Sequence, residues 1–115
     1  MKKEINPIID FADASYDSCE MIKETLIVYL NSWDEKKIKI YFHNPILFTY
    51  RTGSIVSGAF EKTDPSPLLN EVLSRYYEKI PTAHPFKLFI LEDIEDFIFF
   101  EIIAENSYAV KEHCT

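Results

Sequence analysis

The chain has 115 residues, of which 47% are hydrophobic and 15% aromatic, and it carries a formal net charge of −7 at neutral pH. That length suits one core and is too short for two, and the apolar share offsets the chain entropy that keeps polar sequences disordered. The acidic balance argues against direct binding of nucleic acid, which takes clustered Lys and Arg, and it favours a basic protein partner.

Gly53 and Gly58 are the only glycines, and the six prolines are scattered, so neither a flexible linker nor a repeat interrupts the chain. Residues 1–115 read as a single domain. No uncharged run approaches the roughly 20 apolar residues that cross a bilayer. The opening Met1-Lys2-Lys3-Glu4 leads into no apolar signal core, so a cytoplasmic protein with no membrane contact is expected. Cys19 and Cys114 lie near opposite ends, outside metal or redox spacing, and read as free thiols, with a bridge between them left open.

In chain order, residues 15–24 fit either a helix or a strand, because Met21, Ile22, Thr25, Leu26 and Tyr29 also share one helical stripe. Alternation decides for a strand over Thr25–Asn31, with Leu26, Val28 and Leu30 on one side and Ile27 and Tyr29 on the other. The polar break at residues 32–36 precedes a second alternating run, in which Ile38, Ile40 and Phe42 face away from Lys37, Lys39 and Tyr41. This is a hairpin signature.

Asn44-Pro45 bends that ladder, and Ile46, Phe48 and Tyr50 resume the period of two. Arg51-Thr52-Gly53 reads as a turn and residues 55–60 as a short strand. Ser66 and Pro67 then open a helix over residues 66–79, with Ser66 as cap, Pro67 at the first helical position and Leu69, Val72, Leu73 and Tyr76 as its apolar stripe. Ile80-Pro81 stops it. Two strands follow at residues 86–91 and 96–104. The expected fold is α+β, a mostly antiparallel sheet of about five or six strands with one main helix packed on a face.

Between the last two strands stands Glu92-Asp93-Ile94-Glu95-Asp96, four carboxylates in five residues, whose mutual repulsion calls for a solvent-exposed turn. From His84 onward seven Asp and Glu face two Lys, so the negative charge is concentrated there. Glu92, Asp93, Glu95 and Asp96 are the first candidate docking edge. Asp34 and Glu35 form a second acidic turn, partly cancelled by Lys36, Lys37 and Lys39. Asp13 and Asp17, interleaved with Phe11 and Tyr16, form a third.

Catalytic equipment is not visible. The two glycines make neither a nucleophile elbow nor a phosphate loop, and the acidic run lacks the alternating ligands and glycine of a calcium loop. His43, His84 and His113 stand in no metal-binding spacing. The expectation is a binding protein that is not an enzyme, with no catalytic residue, metal or cofactor.

The order Phe11-Ala12-Asp13-Ala14-Ser15-Tyr16, then Leu26-Ile27-Val28-Tyr29-Leu30 into Trp33-Asp34, then Ile38-Lys39-Ile40-Tyr41-Phe42 and Ile46-Leu47-Phe48, resembles small immunity proteins of bacterial polymorphic toxin systems, including contact-dependent growth inhibition. The resemblance implies an acidic cytoplasmic protein of hairpins and one or two helices that binds a toxin domain, often a nuclease, and blocks its active site. A phage-encoded inhibitor of a nucleic-acid-binding defence complex follows the same charge logic. The rivals are a small ligand-binding or enzymatic domain, with a site built from distant Tyr, His and Glu residues, and a homodimer that covers the apolar side of residues 97–103 with its own copy.

Overall fold

The computed structural model describes residues 2–51 and 55–112. Gly53 with its expected turn, His113 and Cys114 lie outside the described residues. Among the described residues nine strands form one antiparallel sheet: β1 (Lys2–Glu4), β2 (Ala14–Ile22), β3 (Thr25–Asn31), β4 (Lys37–His43), β5 (Leu47–Tyr50), β6 (Ile55–Lys62), β7 (Lys87–Asp93), β8 (Ile98–Ala104) and β9 (Asn106–Lys111). A single helix among the described residues, α1 (Pro67–Tyr76), stands between β6 and β7. Neighbours run in the order β5, β8, β7, β6, β2, β3, β4, β9, and β1 adds to the far half of β6.

Five or six strands with a main helix is therefore not the architecture. Three features account for the difference. Residues 15–22 pair with β3 through a two-residue turn whose first residue, Lys23, takes φ 56°, which settles the helix-or-strand ambiguity for strand. The short, charged β1 and the polar β9 carry too little alternation to stand out. The helix stops at Tyr77, an extended residue, rather than at Ile80-Pro81. Its start is as the sequence suggests: the Ser66 hydroxyl accepts from the Leu69 amide at 3.2 Å, and Pro67 occupies the first turn.

The sheet turns a corner and returns on itself. Asn44, at φ 49°, and Pro45 bend the path from β4 into β5, while Glu105 alone links β8 to β9. β4 pairs with β9 and β5 with β8, and the ladder continues round the bend through Glu105 N–H to His43 O at 3.0 Å and Ile46 N–H to Ile103 O at 2.8 Å. Folding over in this way lets β4 face β7, with the Phe42 and Phe89 rings 5.5 Å apart.

The enclosed core takes the alternating residues that the sequence marks as apolar: Leu26, Val28 and Leu30 from β3, and Ile38, Ile40 and Phe42 from β4. They meet Phe89, Leu91, Phe99, Phe100 and Ile102. Phe11 closes one end. A second cluster on the outer side of β7 and β8 sets Leu73 of α1 against Phe86, Leu88, Ile90 and Ile103. Both sides of β8 are thus largely filled by this chain, so the surface expected to cover a second copy is already buried, exposed Phe97 and half-buried Ile98 apart. Among the described residues no helix is long and apolar enough to cross a membrane.

Candidate functional site

Register places the three acidic stretches at one end of the sheet. Ala14 lies opposite Val56, and Val56 opposite Asp93; one residue along, Ser15 lies opposite Asn31, and Asn31 opposite Lys37. Glu112 N–H reaches Lys37 O at 2.8 Å and extends the row to the last strand. Just beyond this row stand Asp13, the loop at residues 32–36 and the turn at residues 93–97. With neighbouring strands about 4.8 Å apart, the strands that lead into the turn and the loop, β7 and β3, are three spacings, or roughly 14 Å, from each other along the curved sheet.

The turn after β7 is held by its own first residue. Asp93 Oδ1 accepts from the amides of Glu95 at 2.9 Å and Phe97 at 3.0 Å, the Asp93 amide donates to Phe97 O at 2.9 Å, and the Asp96 amide donates to Asp93 O at 3.1 Å. Asp96 adopts φ 60°, a left-handed conformation that Asp tolerates better than most residues. From β6, the Ser57 hydroxyl donates to Asp93 O at 2.7 Å. So braced, the turn leaves Ile94 65% and Phe97 47% exposed beside the carboxylates of Glu95 and Asp96.

The loop after β3 is braced in a comparable way. Ser32 N–H donates to Lys36 O at 2.8 Å, Glu35 N–H donates to Ser32 O at 3.0 Å, and Asp34 Oδ2 accepts from the Lys111 ammonium at 3.0 Å. The Asp34 carboxyl is held down at about 2, first by the nearby Ser32 hydroxyl and then by Lys111 and Lys36. Ser32 Oγ and Asp34 Oδ1 are both buried, and neither has a partner in good hydrogen-bond geometry. The nearness of the hydroxyl still favours the charged carboxylate. Trp33 projects from this loop, 66% exposed.

The eight candidate carboxylates therefore divide by task. Glu92 is not on the turn at all: it belongs to β7, its side chain is 8% exposed, and it pairs with the Lys2 ammonium from β1. Asp93 and Asp34 shape their loops. Asp17 lies on the outer face of β2, 3.1 Å from the Lys37 ammonium. Asp13, at φ 61° in the turn before β2, Glu95 and Asp96 are exposed, and none of the three makes an ion pair among the described residues. Glu35 is exposed at φ 66° in the same loop as Trp33.

Sequence reasoning missed the apolar half of this surface. Trp33, Ile55, Ile94 and Phe97 are all exposed at or near the acidic end. The available signal was an apolar residue inside a polar turn: Trp33 sits before Asp34-Glu35, and Ile94 stands between Asp93 and Glu95. Such a residue has no core to enter.

Other surfaces differ in character. The outer face of β3, β4 and β9 carries the stacked pair Tyr41 and Tyr108, 4.6 Å apart, but its charges are matched, as in Lys39 with Glu112 at 2.5 Å. An open cleft of about 270 Å³ separates Val72 and Tyr76 of α1 from Ile46 and Leu47. Another of about 470 Å³ lies between Asn6, Ile8 and Ile9 and the edge of β9. Among the described residues no group of three or more His, Cys, Asp or Glu side chains is placed to hold a metal ion. Compared with known proteins, the chain matches no family model, no curated sequence and no solved structure.

Proposed function

We propose that this chain is an immunity protein: it binds a bacterial toxin domain, a nuclease, and neutralises it by covering the basic surface that would hold phosphate. The observation that carries the reading is the gathering of three sequence-distant acidic stretches at one end of the sheet. There Asp13, Glu95 and Asp96 are exposed and make no ion pair among the described residues, whereas Asp17 and Asp34 are paired with Lys37 and Lys111. A nuclease presents Lys and Arg to its substrate, and fixed carboxylates on a rigid scaffold can occupy that surface in phosphate's place. Placing them on braced turns reduces the ordering cost of association.

The test begins with the reading frames beside the chain's own and takes any toxin-like nuclease domain found there as the partner. A one-to-one complex that weakens as salt rises, together with loss of nuclease activity on mixing, is expected. The triple variant Asp13→Asn/Glu95→Gln/Asp96→Asn should bind at least tenfold more weakly, with a shallower salt dependence. Equal affinity for the variant would remove the acidic end from the interface.

A further inference from the structure

Charge alone does not account for the acidic end. Large apolar side chains usually find cover. Yet the chain's single tryptophan is 66% exposed on one braced loop and Ile94 is 65% exposed on the other, with Ile55 and Phe97 also open nearby. Neither loop is free to fold these groups inward: the Asp93 carboxylate fixes one, and the Asp34 to Lys111 pair fixes the other. Both residues sit beside exposed acidic residues, Glu35 in the Trp33 loop and Glu95 and Asp96 next to Ile94.

We propose that Trp33 and Ile94 are the apolar anchors of the interface, and that the partner is a protein surface whose apolar pockets are rimmed by lysine and arginine. The inference rests on the binding role given above and specifies the partner's chemistry. Three observations support it. The strands that lead to the two anchors lie roughly 14 Å apart along the sheet, a span that fits inside one ordinary interface, which buries about 800 Å² on each side. Exposed indole is also the side chain most often found at the energetic centre of such contacts, and its face attracts a cation. Finally, a carboxylate rim around an apolar anchor selects a cationic rim around an apolar pocket and repels an acidic one.

Two synthetic peptides of equal length and positive charge test this with the full chain, one alternating Leu and Lys in an amphipathic pattern and the other alternating Gly and Lys. Because Trp33 is the only tryptophan, its emission reports contact directly. The Leu/Lys peptide should shift Trp33 emission to the blue and bind at least tenfold more tightly than the Gly/Lys peptide. Ile94→Ser should cut that advantage at least fivefold while leaving the circular dichroism spectrum unchanged; Phe97→Ser serves as a second variant on the same turn. Equal affinity for both peptides, with carboxylate neutralisation abolishing each, would overturn the anchors and leave the acidic binding end standing. Leu/Lys binding with unaltered Trp33 emission and no effect of Ile94→Ser would also overturn them. No binding of either peptide at low salt would overturn the anchors and the acidic end together.

Discussion

The Lys2 ammonium, carried on a strand of three residues, closes on the Glu92 carboxylate, and the same ammonium lies 4.3 Å from the centre of the Phe60 ring. Lys2 is 41% exposed along its side chain, whereas Glu92 is only 8% exposed. One terminal residue thus neutralises a carboxylate that the fold has taken out of water. Lys2→Met should destabilise the protein by about 2 kcal/mol, the cost of a buried charge left without its partner. This is less than the 3–5 kcal/mol typical of fully buried pairs, because the lysine remains partly hydrated. Urea unfolding checks it, and the double variant Lys2→Met/Glu92→Leu should recover most of the loss.

Gly58 belongs to the same stack for a steric reason. A Cβ there would lie 2.5 Å from Phe60 Cζ, so the ring occupies the space that any larger residue would need. Gly58→Ala must displace the tip of that ring, which also carries the ammonium of Lys2 over its face. The expected loss is about 1–3 kcal/mol, as for overpacked cores. It should shrink in a Lys2→Met background, since the two changes share one ring; a thermodynamic double-mutant cycle measures that coupling.

How much of this was legible from the sequence depended on where each residue's partner lay. Leu26, Val28 and Leu30 and Ile38, Ile40 and Phe42 pair with near neighbours across one hairpin, and their alternation announced β3 and β4. Ser66-Pro67 announced the helix start because a cap is a local device. β1 and β9 were invisible because their partners, β6 and β4, are distant in sequence and their own residues are polar. The acidic residues were found as residues. Their division was not, since whether a carboxylate is buried against Lys2, folded into a turn or left in solvent is a tertiary fact.

Asp34 gives the protein a definite response to acid. Its carboxyl ordinarily titrates near 3.8 and in the fold near 2, so folding favours the charged form. The stability this contributes is fully present above pH 3.8 and is lost as pH falls through about 2. Asp34→Asn lacks the contribution at every pH. Urea midpoints for the two proteins should differ most above pH 4 and converge on acidification toward pH 2. A constant gap across that range would assign the loop's stability to shape alone.

Leu73 is the one fully buried residue of α1, set among Phe86, Leu88, Ile90 and Ile103. Leu73→Ala should cost about 2–5 kcal/mol by leaving a cavity under the helix. The helix lies on the outer side of β7 and β8, away from the loops that carry Trp33 and Asp13. At a temperature where the variant remains folded, emission from Trp33 should therefore match that of the parent. A shifted spectrum would mean that the helix supports the acidic end directly.

Four carboxylates at residues 92–96 look alike in the sequence and should behave as two kinds on mutation. Asp93→Ala removes the acceptor for the Glu95 and Phe97 amides and should cost about 1 kcal/mol, moderated because both bonds are exposed to water. Glu95→Gln/Asp96→Asn removes two like charges from one turn and breaks no ion pair among the described residues, so stability at low salt should stay level or rise slightly. The contrast is measured by urea unfolding at two salt concentrations. If neutralising Glu95 and Asp96 destabilised the fold as much as losing Asp93, these side chains would be structural. A stable variant that has lost affinity for a cationic partner would instead place their cost on the folded state and their benefit on binding.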